Sequence, residues 1–286
     1  MQAGYQSYTC AMHRHAAHPP ATDQARPSPG SALVTGGGRR LGAAIATALV
    51  ESGWSVVLHC HRSLDEANAL AQRLDPSGHR VRVAQMDLDQ METSAQAIHW
   101  LGSLEQSAGL PLRLLVNNAS RFEFDEPANA SAQSLQRHHQ TNLVAPVLLT
   151  QALYALRSRE STGSDPACVV NLLDQKLENL NPDFFSYTLS KSALLTASHL
   201  MARAFAPVLR VVGLSPGISL PSADQTVEEF DRAHRMTPLG ASSHPHEIGQ
   251  AVVWLAQARA ITGINLPVDG GQHLVATHRD VMFETR

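Results

Sequence analysis

Short apolar runs alternate with longer amphipathic stretches along most of the chain. Apolar runs of only four or five residues, bounded by polar or turn residues, predict buried β-strands. The predicted strands cover residues 32–35, 55–59, 81–85, 114–117, 168–172, 210–214 and 264–268. Helical patterns between them cover residues 41–52, 64–74, 91–108, 131–158, 184–206 and 245–258. This alternation predicts an α/β fold, a single doubly wound parallel sheet of about seven strands with helices on both faces.

Composition and charge narrow the classes of protein to consider. With 286 residues, 43% of them hydrophobic, the chain is long enough for one α/β domain with a full core. A net charge of −3 predicts neither a nucleic-acid partner nor a membrane surface. No apolar stretch is long enough to span a bilayer. Residues 1–30 lack a hydrophobic period and are predicted to be a disordered tail before one domain, residues 31–286.

Cysteine and histidine usage bears on location and on metal binding. Cys10, Cys60 and Cys168 are far apart and form no CxxC pair. We therefore expect a reduced, cytoplasmic protein rather than a disulfide-linked one. His13, His15 and His18 lie in the tail without a nearby acidic or cysteine ligand that would complete a site, so no metal site is predicted.

Tyr187 and Lys191 lie four residues apart within a predicted helix. A tyrosine has an unperturbed pKa of about 10 and gives up its proton reluctantly near neutrality. Lysine one helical turn away places an ammonium on the same face, where it stabilises the phenolate. The pair is typical of a general acid that protonates a carbonyl or imine during reduction. The chain has only two lysines, Lys176 and Lys191, which makes a chance pairing less plausible.

A glycine-rich turn follows the first predicted strand. It has the sequence Thr35-Gly36-Gly37-Gly38-Arg39-Arg40-Leu41-Gly42 and opens an alanine-rich helical stretch. Backbone N–H groups at such a strand-to-helix turn are well placed to bind a pyrophosphate. A third segment, Asn117-Asn118-Ala119-Ser120, follows the fourth predicted strand.

With these three segments the sequence resembles the short-chain dehydrogenase/reductase family, whose fingerprints are TGxxxGxG, an NNAG-like segment and YxxxK. The resemblance covers residues 31 to 272 and implies a Rossmann-type fold that assembles as a homotetramer. It also implies a nicotinamide cofactor held by Gly36, Arg40, Leu41, Asn118, Ala119, Ser120, Lys191, Pro216 and Gly217. Asn142 matches the asparagine that supports a proton-relay water in the family. Residues 218 to 245 correspond to a mobile lid over the substrate.

The end of the second strand indicates which nicotinamide cofactor is bound. An NAD site usually has an acidic residue there, to accept hydrogen bonds from the ribose. This chain has His61, Arg62 and Ser63, which suit the 2′-phosphate of NADPH. Ser63 also has capping-box spacing with Glu66, so the same residues would equally start a helix. By the resemblance, Asp87 and Leu88 meet the adenine.

Three departures from the common pattern point to one branch of the family. Arg40 replaces the middle glycine of TGxxxGxG, and Asp174 replaces the catalytic serine thirteen residues before the tyrosine. Phe122 follows the Asn118–Ser120 turn, where its ring would lie against a planar ligand. Together they are similar to the pteridine reductase branch. The resemblance implies a pterin substrate that contacts Arg40, Ser120, Phe122, Asp174 and Tyr187.

The expected reaction is reduction of a dihydropterin to its tetrahydro form with NADPH. Tyr187 would protonate the ring nitrogen, directly or through water, with Lys191 holding the nicotinamide ribose. Asp174, with a pKa raised by burial, would be a second proton source. Two alternatives stay open: a carbonyl or 3-oxoacyl reductase with the same tyrosine and lysine, and a catalytically silent nucleotide-binding protein.

Overall fold

The structure, a computed structural model, describes residues 29–160, 165–221 and 225–284. The predicted disordered tail falls almost wholly outside these ranges, as do His13, His15 and His18, so those expectations stay predictions. Within the described ranges, no helix is both long and apolar enough to cross a membrane.

Seven parallel strands form one sheet in the order β3-β2-β1-β4-β5-β6-β7. The sheet runs outward in both directions from β1 and β4, so the switch point lies between these two strands. The predicted fold class is therefore confirmed. The strands are β1 (Ser31–Val34), β2 (Ser55–Cys60), β3 (Val81–Gln85), β4 (Leu112–Asn117), β5 (Ala167–Leu172), β6 (Leu209–Pro216) and β7 (Asn265–Val268).

Helices cover both faces of the sheet because successive strand residues point to opposite sides. Ala32 and Val34 of β1 join one apolar layer, whereas Leu33 between them joins the other. The first layer is completed by α1 (Arg40–Glu51), α2 (Leu64–Leu74) and α8 (Pro245–Gln257). The second is completed by α3 (Ser94–Ala108), α5 (Ala145–Arg157) and α6 (Phe185–Ala204). The described residues also form the α-helices α4 (Ala132–His139), α7 (Val227–Arg235) and α9 (Val281–Glu284).

The structure corrects three predictions of local structure. The helix predicted over 131–158 is interrupted by a π-helical turn, Gln140–Val144, between α4 and α5. The predicted lid contains the helix α7, whose many charged residues hide its hydrophobic period. Thr226 and Glu229 form a capping box that starts α7. Ser63 does precede α2, but its side chain makes no capping hydrogen bond.

The glycine turn after β1 is held by a buried histidine. The N–H of Gly36, which has a positive φ of 62°, donates to Nδ1 of His59 at 3.1 Å. The other ring nitrogen, Nε2, donates to the carbonyl of Met86 at 3.0 Å, so both backbone contacts fix one neutral tautomer. Burial lowers the pKa of His59 to about 4. His59 thus links the end of β2 to the glycine turn and to the end of β3.

We expect the protein to lose stability between pH 6.5 and 4 through His59. In the unfolded chain this histidine binds a proton near its ordinary pKa of about 6.5, whereas the folded protein keeps it neutral. The free energy of unfolding should therefore fall by roughly 2 kcal/mol from pH 7 to pH 5 on account of this residue. Urea unfolding at the two pH values measures this fall, which should be smaller in His59→Gln. The exposed His99 on α3 provides the control, and His99→Gln should keep the wild-type dependence. Equal pH dependence in His59→Gln and wild type would contradict the assignment.

Candidate active site

The carboxyl ends of β1, β4, β5 and β6 surround a cavity of about 270 Å³ at the edge of the sheet. Parallel strands end at the same edge, so segments far apart in sequence meet there. Ten of the residues singled out in the sequence line this cavity: Arg40, Leu41, Asn118, Ser120, Phe122, Asp174, Tyr187, Lys191, Pro216 and Gly217. The sheet topology thus gathers the glycine turn, the Asn118–Ser120 turn and the tyrosine–lysine pair.

Tyr187 donates its hydroxyl proton to the Asp174 carboxylate at 2.8 Å. The ring is only 7% exposed, on the first turn of α6, which follows Phe184 in a left-handed conformation. Burial raises the pKa of Tyr187 well above its ordinary value, and the neighbouring Asp174 charge raises it further. The hydroxyl therefore keeps its proton at neutral pH and shares it with Asp174.

Lys191 lies one turn further along α6, 2% exposed, with Nζ 5.7 Å from the centre of the Tyr187 ring. Its ammonium donates to the carbonyl of Leu172 at 2.7 Å. Burial lowers the pKa of Lys191 to about 8, and Asp174 opposes this effect. Burial and Asp174 shift the pKa of Tyr187 upward, against the stabilisation of the phenolate that is expected from Lys191.

The first turn of α1 is open to an anion. Its N-cap residue, Arg39, makes no capping hydrogen bond with its side chain, and no acidic residue lies in the first turn. Helix N–H groups in such a position attract a phosphate. Arg40 has a φ of 52°, which preserves the glycine-like backbone of the family motif. Its guanidinium donates to the carbonyl of Pro221 at 3.0 Å, at the start of the predicted lid.

The turn after β4 locks the glycine turn in place. The Asn118 amide donates to the carbonyls of Thr35 at 2.8 Å and Gly36 at 3.2 Å. The backbone N–H of Ala119 donates to the Thr35 hydroxyl at 2.9 Å. A side chain at Gly42 would clash with the Gly36 carbonyl oxygen and the Asn118 amide. Asn118 and Ala119 thereby set the shape of the glycine turn.

Asn142 supports this region from the π-helical turn. Its side-chain oxygen accepts from the Ser120 hydroxyl at 3.2 Å and from the Arg121 N–H at 2.8 Å. Its amide donates to the Arg121 carbonyl at 3.0 Å and to the Ser190 hydroxyl at 2.9 Å. Asn142 thus connects the loop that contains Ser120 and Arg121 to α6.

Phe122 belongs to an aromatic cluster beside Tyr187. Its ring, 47% exposed, stacks on Phe184 with centres 4.1 Å apart and meets Tyr187 edge-on at 4.7 Å. The preceding Arg121 does not line the cavity but forms ion pairs with Asp89 at 2.7 Å and Glu123 at 2.6 Å. A planar ligand that enters the cavity would therefore meet the Phe122 ring.

Seven other predicted cofactor residues lie outside the cavity lining. Gly36 and Ala119 contribute backbone to the two interlocked turns. The other five follow β2 and β3 at the same edge of the sheet: His61, Arg62, Ser63, Asp87 and Leu88. The His61 ring lies 3.6 Å from the Asp87 carboxylate, which also accepts from the Asp89 N–H at 3.1 Å. Arg62 is exposed and Leu88 is buried.

Several cavity residues were not predicted from the sequence. Leu173, Gln175 and Lys176 follow β5, and Gln272 follows β7. Asp280, Val281 and Met282 come from the C-terminal segment, in which the sequence shows no motif. No motif identifies these residues, since only the fold brings them back to the site.

Comparison with known proteins agrees with this geometry. Residues 37–273 match the family model described as enoyl-(acyl carrier protein) reductase. Pteridine reductase 1 from Leishmania tarentolae is 28% identical, over 85% of this chain and 96% of the relative. A dihydromonapterin reductase from Klebsiella pneumoniae is also 28% identical, over 87% of this chain and 99% of the relative.

A solved structure gives a similar picture. FolM alternative dihydrofolate reductase 1 from Brucella canis, complexed with NADP, is 38% identical and superposes with a TM-score of 0.80. The match covers 88% of this chain and 97% of the Brucella chain. The fold, the three sequence motifs and these relatives together show that the chain belongs to the short-chain dehydrogenase/reductase family.

Proposed function

We propose that this protein reduces a dihydropterin to its tetrahydro form with NADPH. The observation that carries the proposal is the hydrogen bond between the buried Tyr187 and Asp174, which lies beside the Phe122 ring. The relatives from Leishmania and Klebsiella are named as reductases of pteridine and dihydromonapterin, and the Brucella relative as an alternative dihydrofolate reductase. These substrates share a flat, nitrogen-rich ring system, which suits an aromatic wall and a carboxyl group.

The residues present fit NADPH. The N-terminus of α1 has no side-chain cap and no acidic residue in its first turn, so its backbone N–H groups suit the pyrophosphate. Arg62, exposed at the end of β2, would pair with the 2′-phosphate. Lys191, buried at the cavity wall, would donate to the nicotinamide ribose. When bound, NADPH supplies a hydride to the carbon of the substrate C=N bond.

Tyr187 supplies the proton that completes the reduction. Its raised pKa keeps the hydroxyl protonated, so the proton is in place when the ring nitrogen becomes basic. The C=N double bond gains hydride at carbon and the tyrosine proton at nitrogen. Asp174 accepts the Tyr187 hydrogen bond. After the transfer it would relay a proton from solvent to the phenolate. The Lys191 ammonium stabilises the transient phenolate.

The first test is oxidation of NADPH by the purified protein with 7,8-dihydromonapterin, dihydrobiopterin and dihydrofolate. A parallel set contains simple ketones, a 3-oxoacyl thioester and an enoyl thioester. We expect kcat/KM for at least one dihydropterin to exceed that of every ketone and thioester. Turnover of ketones or thioesters alone would replace the proposal with a carbonyl or acyl-thioester reductase. Binding of NADPH without any turnover would indicate a nucleotide-binding protein.

Removing the Tyr187 hydroxyl should lower kcat by at least about 100-fold, because positioned acid catalysis contributes roughly that much or more. Tyr187→Phe keeps the ring and its contact with Phe122, so NADPH binding, followed by fluorescence, should change little. Tyr154→Phe is the matched control, since Tyr154 lies on α5 and stacks on Phe205 away from the cavity. Wild-type turnover by Tyr187→Phe would refute the mechanism.

Arg62 should decide the preference for NADPH over NADH. Loss of a charge-assisted contact with the 2′-phosphate should raise the KM for NADPH about tenfold or more in Arg62→Ala. The KM for NADH should stay nearly constant, since NADH lacks that phosphate. Arg73→Ala removes another exposed arginine of the same region, on α2, and should leave both values unchanged. Equal changes for the two cofactors would argue against the assignment.

Assembly and location stay predictions. Leu189 and Leu200 expose apolar side chains on α6, which supports a homotetramer in which such surface is covered. The expected cytoplasmic location rests on the cysteines, which are widely spaced and form no CxxC pair.

A further inference from the structure

The C-terminal segment, residues 279–284, returns to the catalytic cavity. Asp280, Val281 and Met282 line the cavity together with Asp174 and Tyr187. Met282 is only 7% exposed and packs with Phe184 and Tyr187 in a small apolar cluster. The segment is therefore a wall of the site and not a surface appendage.

An ion pair fastens this segment to the loop before α6. The Arg279 guanidinium donates from Nε to both oxygens of Asp183 at 2.9 Å, and another of its nitrogens lies 2.7 Å from that carboxylate. The N–H of Asp280 donates to the same carboxylate at 2.6 Å. Asp183 is 1% exposed, so this pairing is shielded from solvent on the Asp183 side. These bonds fix the backbone at Asp280.

Lys176, the other lysine of the chain, connects the segment to the stretch between Asp174 and α6. Its buried ammonium donates to the Asp183 carbonyl at 2.5 Å and lies 3.5 Å from the Asp280 carboxylate. It also lies 5.5 Å from the centre of the Phe184 ring. The proposed chemistry gives this lysine no role, yet it holds two elements of the cavity wall together.

Aromatic contacts extend the connection to the catalytic tyrosine. Phe283 lies parallel to Phe184 with ring centres 6.1 Å apart and meets Phe124 edge-on at 5.3 Å. Phe184 in turn stacks on Phe122, which contacts Tyr187. A displacement of the C-terminal segment would therefore disturb the ring that faces the substrate.

Asp280 has hydrogen-bonding capacity left for a ligand. One carboxylate oxygen accepts from the Met282 N–H at 3.2 Å, and the other faces Lys176. A carboxylate has about four acceptor positions, so two remain. Asp280 and Asp174 are the two acidic residues among those that line the cavity. Burial raises the pKa of Asp280, Lys176 opposes this, and the Asp174 charge adds to it.

We propose that the C-terminal segment is the substrate-recognition wall of the active site, in which Asp280 binds an N–H donor edge of the heterocycle and Arg279 positions Asp280. The inference rests on the proposed function and names a contact that selects the substrate. A ring with an amino group beside a ring N–H presents two donors that match a carboxylate. A ring with oxygen in place of that amino group presents an acceptor, which the carboxylate repels.

The test compares two oxidised ligands that differ only at that edge. Pterin carries the amino group, and lumazine carries an oxygen in its place. Dissociation constants are measured by fluorescence with the protein saturated with NADP⁺, beside KM and kcat for 7,8-dihydromonapterin. The variants are Asp280→Asn, Arg279→Gln and Arg279→Lys. Arg259→Gln is the matched control, because Arg259 is 74% exposed in an ion pair with Asp165 and does not line the cavity.

We expect the wild type to bind pterin more tightly than lumazine. Asp280→Asn should reduce this preference about tenfold and raise KM more than it lowers kcat. Arg279→Gln should reduce the preference in the same direction, Arg279→Lys should restore part of it, and Arg259→Gln should match wild type. NADPH affinity should stay constant throughout.

The possible outcomes distinguish a failure of this inference from a failure of the proposed function. If the wild type reduces dihydropterins but Asp280→Asn keeps the wild-type preference for pterin, the recognition role is overturned and the proposed function stands. A uniform loss of pterin, lumazine and NADPH binding in Arg279→Gln would mean that the segment is a structural cap, which also overturns it. If the wild type neither reduces dihydropterins nor binds pterin, both proposals fail.

Discussion

The close packing of the glycine turn against the end of β4 is the constraint on which the site depends. Gly42 leaves no room for a side chain beside the Gly36 carbonyl, and Asn118 donates to the carbonyls of that same turn. His59 holds the Gly36 N–H from β2. Three strands therefore determine one backbone geometry, and this geometry orients the N-terminus of α1 toward the centre of the sheet edge. Loss of any of these contacts would change the backbone of the glycine turn without touching Tyr187, Lys191 or Asp174.

Asp174 influences the protonation of both Tyr187 and Lys191 in the cavity. A serine in its place would leave Tyr187 beside Lys191 alone, whose charge favours the phenolate. Asp174 instead accepts the Tyr187 proton in a hydrogen bond and opposes ionisation of the tyrosine. The same carboxylate favours the charged form of the buried Lys191. The site therefore keeps Tyr187 protonated near the substrate and does not hold this residue as a phenolate.

Support for these residues comes from distant parts of the chain. The π-helical turn places Asn142 where it binds the loop of Ser120 and Arg121, and Arg121 turns away to pair with Asp89. Single π-helical turns of this kind are frequent at functional sites. On the other side of Tyr187, the Arg279–Asp183 pair brings the C-terminal segment against the aromatic cluster. Both supports fix loops that carry cavity side chains.

The sequence by itself determined the fold class and the residues with a fixed spacing. Strand periodicity, the glycine turn and the pair Tyr187 and Lys191 are local patterns, since the physical requirements behind them act within a few residues. The helix α7 was not predicted because charged residues mask its apolar positions, although Thr226 and Glu229 have the spacing of a capping box. Only the tertiary structure decided that Tyr187 donates to Asp174, that Arg121 leaves the cavity, and that Asp280 and Met282 enter it. These outcomes depend on burial, on competing partners and on contacts between segments about a hundred residues apart, as between Arg279 and Asp183. No local pattern encodes such contacts.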